Sequence, residues 1–367
     1  MIDSKGGFYS SMDADSEGVE GKYYVWKRSE IEKILGKEDA DIFAQYFDIT
    51  EEGNWEGNSI PRIIMKKSSL SNFLKIPEDK MNESLSNSRI KVKDYRNSRI
   101  PPGTDDKVIV SWNGLMISSL AKASSVLGKK EYFDAADKAV DFIIQKMSKK
   151  DGTLNRIYRK NVAHIDAFAE DYSYFGNSLI DMYEASFDSK YLKLAKKYAD
   201  ILVEQFYEDG QFKQSLSKNI VINSGNSMDN ATPSYNFMCG LLLIRLHYYY
   251  DNKKYREIVE ASMDKVGTYI NQYPYAHSTA LFVHDYFLNG PKEIVLAAET
   301  NNDPLMNIVK QTYLPCKILA SSSTEMDLPI LEGKEMVDGQ STIYICKNYT
   351  CKEPITDESI LRDSLAL

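Results

Sequence analysis

The sequence predicts a mainly α protein, an (α/α) toroid whose inner helices line a cavity and whose outer helices face water. Three observations carry this reading. An amphipathic segment recurs as EYFDAADKAVDFIIQKM, KYLKLAKKYADILVEQF and KYREIVEASMDKVGTYI, with Tyr132, Tyr191 and Tyr255 lying 59 and 64 residues apart. Each copy is preceded by a segment that is apolar nearly all round, which marks a helix buried on every side. Two of the amphipathic copies are followed by Asp-Gly turns at 151–152 and 209–210, the chemistry of a β-hairpin.

In order, residues 5–26 read as a hairpin and 27–47 as helix. A turn-rich stretch around Gly53, Asn54 and Gly57 follows, then a polar helical stretch over roughly 67–96. The inner helices are 112–128, 168–187 and 235–250, with the small residues Ser118, Ser119, Gly176 and Gly240 among their apolar ones. In the first outer helix Tyr132, Ala136, Ala139, Val140, Ile143 and Met147 share a face, and Asp134, Asp137, Asp141 and Gln145 lie opposite. Residues 277–290 read as one more inner helix. Beyond them the apolar runs 292–299, 317–323 and 341–348, with a helix near 303–313, read as β-α-β-β, and 357–367 as a short terminal helix. The expected division is therefore a toroid over 1–290 and a small α/β appendage over 291–367. Because the first hairpin has no outer helix before it, the expectation is a ring lacking N-terminal helical hairpins. Such a ring exposes inner-helix surface and self-associates through the open seam.

A net charge of −8 argues against nucleic acid and anionic membranes as partners. No 18-residue apolar run and no apolar N-terminal segment occurs. Four cysteines in 367 residues do not make a disulfide framework, so a cytoplasmic protein with reduced thiols is expected. Cys346 and Cys351 have neither zinc-site nor Cys-x-x-Cys spacing. Asp13–Gly18 resembles the start of a calcium loop, but its twelfth position is Tyr24 and strands flank it. Neither a metal nor a cofactor is expected.

The candidate chemistry sits where inner helices begin. In residues 96–116, Pro101, Pro102 and Gly103 turn the chain, and Asp105, Asp106 and Lys107 precede a short apolar run and the Trp112-Asn113 pair. Asp106 reads as a carboxylate at the cavity mouth, with Lys107 or Arg99 setting its protonation and Trp112 offering a face for a sugar. The plainer reading has Asp105 and Asp106 capping a helix and pairing with Arg96 and Arg99. Glu170, Asp171 and Tyr172 hold the equivalent place in the next repeat. Were Asp106 and Asp171 to face one cavity, they would form an acid and base pair of the kind an inverting glycosidase uses. Their plainer role is first-turn acids on a helix dipole. Ser234 and Asn236 offer hydroxyl partners at a third rim position, or simple capping. Sugar epimerisation would need a base on each face of the carbon; His164, His247, His277 and His284 are the histidines present.

The stretches GGFYSSMDADSEGVEGKYYVW, RNSRIPPGTDDKVIVSWNGLM, FAEDYS, DNATPSYN and CKNYTCKEPITD together resemble the spermatogenesis-associated thioredoxin-like proteins. The resemblance covers essentially the whole chain. It implies a six-hairpin (α/α)6 toroid similar to glycosidases and N-acylglucosamine 2-epimerases, with a thioredoxin-like domain ahead of it in the family, and it brings no established reaction. That domain and the family's His-Phe-Glu-Lys segment are absent from this sequence, and the family's Pro-Ser-Gly-Asn is here Pro233-Ser234-Tyr235-Asn236. Two readings stand. One is a carbohydrate-active toroid, epimerase-like or hydrolase-like, whose partner is a small saccharide. Asp106, Asp171, Glu170 and Asp105 would be its acids, and Trp112, Asn113, Arg99, Lys107, Tyr172, Ser234 and Asn236 would hold the substrate. The other is a non-catalytic scaffold or interaction module of a thioredoxin-like multidomain protein.

Overall fold

The computed structural model describes residues 1–217, 227–323, 326–348 and 350–365. Tyr349 of the C-terminal motif and the last two residues of the expected terminal helix lie outside them. The chain forms two compact units, Ser11–Asp105 and Met1–Ser10 with Asp106–Leu367. The boundary cuts through the 96–116 stretch, so that stretch is not one rim loop. No such boundary falls near residue 290, and the α/β segment belongs to the larger unit.

Strand β1 (Tyr9–Met12) leads into the smaller unit, where β2 (Asp15–Ser16) and β3 (Val19–Glu20) form a tight hairpin. Its turn residues Glu17 and Gly18 have φ of 54° and 74°, the mirror-turn geometry of a two-residue hairpin. Helices α1 (Arg28–Leu35) and α2 (Lys37–Phe47) are split by Gly36, and α3 (Lys67–Leu74) and α4 (Glu78–Asn97) by Pro77. Trp26, Ile31, Phe43, Leu70, Met81 and Leu85 are the centre of this unit's own core.

β4 (Thr104–Ile109), which spans the unit boundary, leads into α5 (Val110–Leu127) of the larger unit, and α6 (Lys130–Met147) returns along it. Then come β5 (Asn155–Arg159), β6 (Val162–Asp166), α7 (Ala169–Ser186) and α8 (Ser189–Phe206). Next are β7 (Tyr207–Glu208), β8 (Gln211–Phe212), α9 (Tyr235–Tyr250) and α10 (Lys253–Asp264). The third outer segment is broken into α10 and the short α11 (Gly267–Gln272), with the glycine at the break. α12 (Ser278–Leu288) completes the series. Helices α5, α7, α9 and α12 pack side by side in sequence order, and α6, α8 and α10 each back the inner helix before them. This is the (α/α) toroid arrangement. Of the two Asp-Gly turns, Asp209–Gly210 joins β7 to β8, whereas β5 and β6 turn at Lys160–Asn161. Asp151–Gly152 closes only a small bridge between Ser148 and Leu154 ahead of β5.

α7 and α9 are buried almost throughout, but α5 is not: Trp112, Met116 and Val126 form an exposed line along it. The inner helices approach closely through glycine. A Cβ on Gly114 would lie 2.7 Å from the Tyr174 backbone of α7, and one on Gly176 would lie 2.5 Å from Leu242 of α9. Gly240 faces Val283 of α12 at an ordinary 3.4 Å.

The C-terminal part is β9 (Lys292–Ala297), α13 (Pro304–Gln311), β10 (Lys317–Ser321), β11 (Thr342–Lys347), β12 (Thr350–Cys351) and α14 (Glu358–Leu365). The sheet order is β10-β9-β11-β12, with β9 and β10 parallel across α13. It is fastened to the inner helices rather than appended. The Tyr249 hydroxyl donates to Leu319 O at 2.9 Å and that of Tyr286 to Lys317 O at 2.9 Å. Cys346 and Cys351 face each other across β11 and β12 and are joined as a disulfide, so the expectation of reduced thiols is corrected for this pair. Sequence spacing could not reveal it, because antiparallel register, not separation along the chain, opposes the two sulfurs.

Gly114→Ala should lower stability by about 1–3 kcal/mol, since the helix backbone it meets has little room to retreat. Gly240→Ala should be neutral or stabilising by up to ~1 kcal/mol through helix propensity. Thermal melting of the two variants measures this, and equal losses would contradict the packing described.

Candidate functional site

Inner helices α5, α7, α9 and α12 start at one end of the larger unit, and polar side chains lace those starts together. Asp171 is the third residue of α7 and is fully buried. One carboxylate oxygen accepts from Ser111 N of α5 at 2.9 Å. The other accepts from Phe168 N at 2.8 Å, capping its own helix, and from Arg156 Nη1 at 2.8 Å. Asp229 does the same further on, accepting from Ser234 N and from Thr279 N of α12, each at 2.8 Å. A carboxylate is suited to this place because inner-helix N–H groups have no partner within their helix and the dipole favours negative charge there.

Glu170 shares Arg156 with Asp171 and accepts from Ser111 Oγ at 3.4 Å. Arg156 lies on β5 and stacks over Phe168 at 4.4 Å. Burial pushes the Asp171 carboxyl up to about 6, against the opposing pull of Arg156 and its backbone donors. Two carboxyl groups on one guanidinium, one dry and one partly wet, can hold a proton near neutral pH. Trp112, the neighbour of Ser111, is 46% exposed.

The other expected site residues go elsewhere. Asp106 pairs with Arg159 Nε at 2.5 Å and is half-exposed. Along β5, Arg156 and Tyr158 share one face while Ile157 and Arg159 share the other. The arginines of Asp171 and Asp106 therefore leave opposite faces, and the expected acid pair across one cavity is not formed. Tyr172 is no stacking wall: it is buried against Tyr198 and Phe206, and its hydroxyl accepts from Leu154 N at 3.0 Å. Asn113 is spent on the Phe8 backbone, accepting at 2.8 Å and donating at 3.0 Å. Asn236 accepts from Phe212 N at 3.1 Å, and Ser234 is buried at the start of α9. Lys107 lies on β4.

Arg99 and Asp105 belong to the smaller unit. Arg99 sits 3.9 Å over Trp26, donates to the carbonyls of Tyr23 and Val25, and pairs with Glu30 at 2.7 Å. It organises that unit rather than tuning Asp106. Arg156 escaped sequence reading, although the alternation of NRIYR beside an acidic helix start was a usable signal.

No helix among the described residues is long and apolar enough to cross a membrane. Successive inner helices, each backed by an outer one and capped by buried acids, define the class as an (α/α) toroid. The chain belongs to Glycosyl Hydrolase Family 88, whose model matches residues 85–304. Spermatogenesis-associated protein 20 of Homo sapiens is 26% identical over 410 residues, a match covering 98% of this chain and 52% of that protein. This chain thus spans about half the length of the curated relatives it matches. Among solved structures, a family 105 glycoside hydrolase of C. acetobutylicum matches 65% of this chain and 74% of its own, at 14% identity and a TM-score of 0.37. A cellobiose 2-epimerase of Spirochaeta thermophila matches 74% and 66%, at 11% identity and a TM-score of 0.39.

Asp171 should titrate near pH 6 in carbon-detected NMR, and Arg156→Met should move that midpoint upward. Its folded form keeps a proton that the unfolded chain releases near pH 4. The stability it contributes is therefore complete below about pH 4 and falls as pH rises toward about 6. A midpoint at or below the ordinary aspartate value would contradict the burial argument.

Proposed function

We propose that this chain acts on carbohydrate as a glycoside hydrolase, at the rim where its inner helices begin. The observation that carries the reading is the Glu170–Asp171 pair on Arg156, both acids bonded to Ser111 of α5, with the exposed Trp112 the next residue of that helix, in a member of a glycosyl hydrolase family. Cleaving a glycosidic bond needs a carboxylic acid to protonate the leaving oxygen. Glu170, whose side chain is 18% exposed, is the member of the pair that meets a ligand. Asp171 acts through the shared guanidinium and is a positioning residue. Trp112 provides an aromatic face against which a sugar ring packs. The reading assigns the acid and the sugar platform and assigns no base. Hydrolysis is favoured over epimerisation by the glycosyl hydrolase family model that matches residues 85–304.

A second reading, a non-catalytic scaffold that associates with itself, is favoured by the apolar line on α5, where Trp112, Met116 and Val126 are 46%, 43% and 51% exposed. The cytoplasmic location stays a proposal, and the Cys346–Cys351 bond weighs against it, since such bonds persist mainly in oxidising compartments.

A panel of neutral and acidic oligosaccharides, followed by calorimetry and by release of reducing ends, tests the first reading. Glu170→Gln should cut turnover by about a hundredfold or more while binding persists. Trp112→Ala should weaken binding by up to roughly tenfold. Absence of binding across the panel would end it. For the second reading, sedimentation of the parent should show a dimer that Met116→Glu dissociates, and a monomer at all concentrations would remove it.

A further inference from the structure

The other ends of the inner helices carry a different kind of site. A cleft of about 500 Å³ lies among Ala121, Lys122 and Val126 of α5, Asp181 and Glu184 of α7, Phe282 of α12, and Leu314 and Leu319. A second lobe of about 480 Å³ adjoins it, lined by Ser124, Ser186, Asn301, Asn302 and Asn307. Ser125, Ala185, Lys310 and Gln311 line both, so the two lobes are adjacent. Asp171 and Asp181 are ten residues apart on one helix, which places this cleft about 15 Å from the rim along α7.

The charges in the cleft do not balance. Lys122, Lys310 and Lys317 line the first lobe and Lys130 and Lys310 the second; Lys130 is paired with Asp134 and Lys122 with Asp181, which leaves Lys310 and Lys317 without an ion pair among the described residues, while Glu184 is held by Arg245. Both acids are already held from behind by buried Arg245, at 2.7 Å and 3.4 Å. Asp181 is also bonded to Ser118 and lies 3.2 Å from Lys122. Lys310 is an unmet cation. Its Nζ donates to Ala185 O, the carbonyl end of α7, at 2.8 Å and sits 4.6 Å from the Phe187 ring. Among the described residues no carboxylate lies within 4.0 Å of it, and burial pushes the ammonium down to about 8 against the weaker opposing pull of Glu184. A half-buried cation with two N–H groups to spare and a cavity in front of it is a place for an anion.

The second lobe adds hydroxyl-matching groups. Asn301 and Asn302 follow the carboxyl end of β9, which pairs in parallel with β10 across α13. Ligands of parallel α/β units settle outside the carboxyl ends of the strands. Three asparagines, a glutamine and three serines there can donate to and accept from several hydroxyls.

We infer that this two-lobed cleft is a binding site for a small phosphorylated polyol, its phosphate on Lys310 with Lys122 and its hydroxyls among Asn301, Asn302 and Asn307. A phosphomonoester suits the site better than a carboxylate because the surplus of positive charge exceeds one, and lysines act as point charges rather than as planar forks. The inference is independent of the rim reading and uses none of its residues.

Calorimetry on the full chain with glucose 6-phosphate, glycerol 3-phosphate, gluconate, glucose and inorganic phosphate tests it. Glucose 6-phosphate should bind, and glucose should bind about thirtyfold more weakly or worse. Lys310→Met should cost a similar factor with an unchanged or raised melting temperature, because it removes a partly desolvated charge that has no ion pair among the described residues. Affinity should fall as pH rises from about 7 to about 9, as the ammonium loses its proton. Glu170→Gln at the rim should leave this binding unchanged. Failure of both phosphomonoesters to bind, gluconate matching glucose 6-phosphate, or indifference to Lys310→Met would each overturn it.

Discussion

Successive inner helices pack closely at glycines, against the Tyr174 backbone at Gly114 and against the Leu242 side chain at Gly176, and much of the larger unit follows from that. Helices such as α7 and α9 have no polar face, so they are stable only when covered on every side. Close approach at Gly114 and Gly176 provides the cover. It also traps polar atoms between the helices, and each trapped group must find a partner because an unmet one costs about 1–3 kcal/mol. Asn177 illustrates the solution, donating at once to Ser173 O of its own helix and Met238 O of the next.

The trapped groups sort by helix polarity. At the inner-helix starts, carboxylates accept from free backbone N–H groups, Asp171 across α5 and α7 and Asp229 across to α12. At the other ends a cation, Lys310, donates to the free carbonyl of Ala185. The dipoles favour this arrangement, and they give the unit two chemically distinct poles. The acidic pole suits proton transfer, and the lysine-lined pole suits a bound anion. Arg245, between them, pairs with both Asp181 and Glu184, and Asp181 also pairs with Lys122, which leaves Lys310 without an ion pair among the described residues.

The C-terminal α/β layer turns the second pole from an open groove into a cleft. Tyr249 and Tyr286 hold β10 against the inner helices, and the single Tyr249 hydroxyl proton lies between Leu319 O at 2.9 Å and Glu184 at 3.0 Å. These two tyrosines act as buried rods with one bonded end. Family membership speaks to residues 85–304, and this last layer lies largely beyond that span. The lysine-lined cleft thus combines matched helices with residues outside the matched stretch.

Periodicity and turn chemistry determined the alternation of inner and outer helices, the β7–β8 hairpin and the late change to β-α-β-β. Those depend on the face each residue takes on its own element, which spacing reveals. Spacing also located Glu170, Asp171 and Trp112 at inner-helix starts. It could not say that Asp171 is dry and shared between two helices, that Tyr172 points into the core, or that Asp106 leaves the far face of the hairpin. It placed the segment after residue 290 in a separate appendage, whereas tyrosine hydroxyls tie that segment to the inner helices. It also ran residues 96–116 together, although a unit boundary divides them. Each of these outcomes turns on which neighbour an element meets, and that choice is made by long-range packing and desolvation rather than by any local preference of the chain.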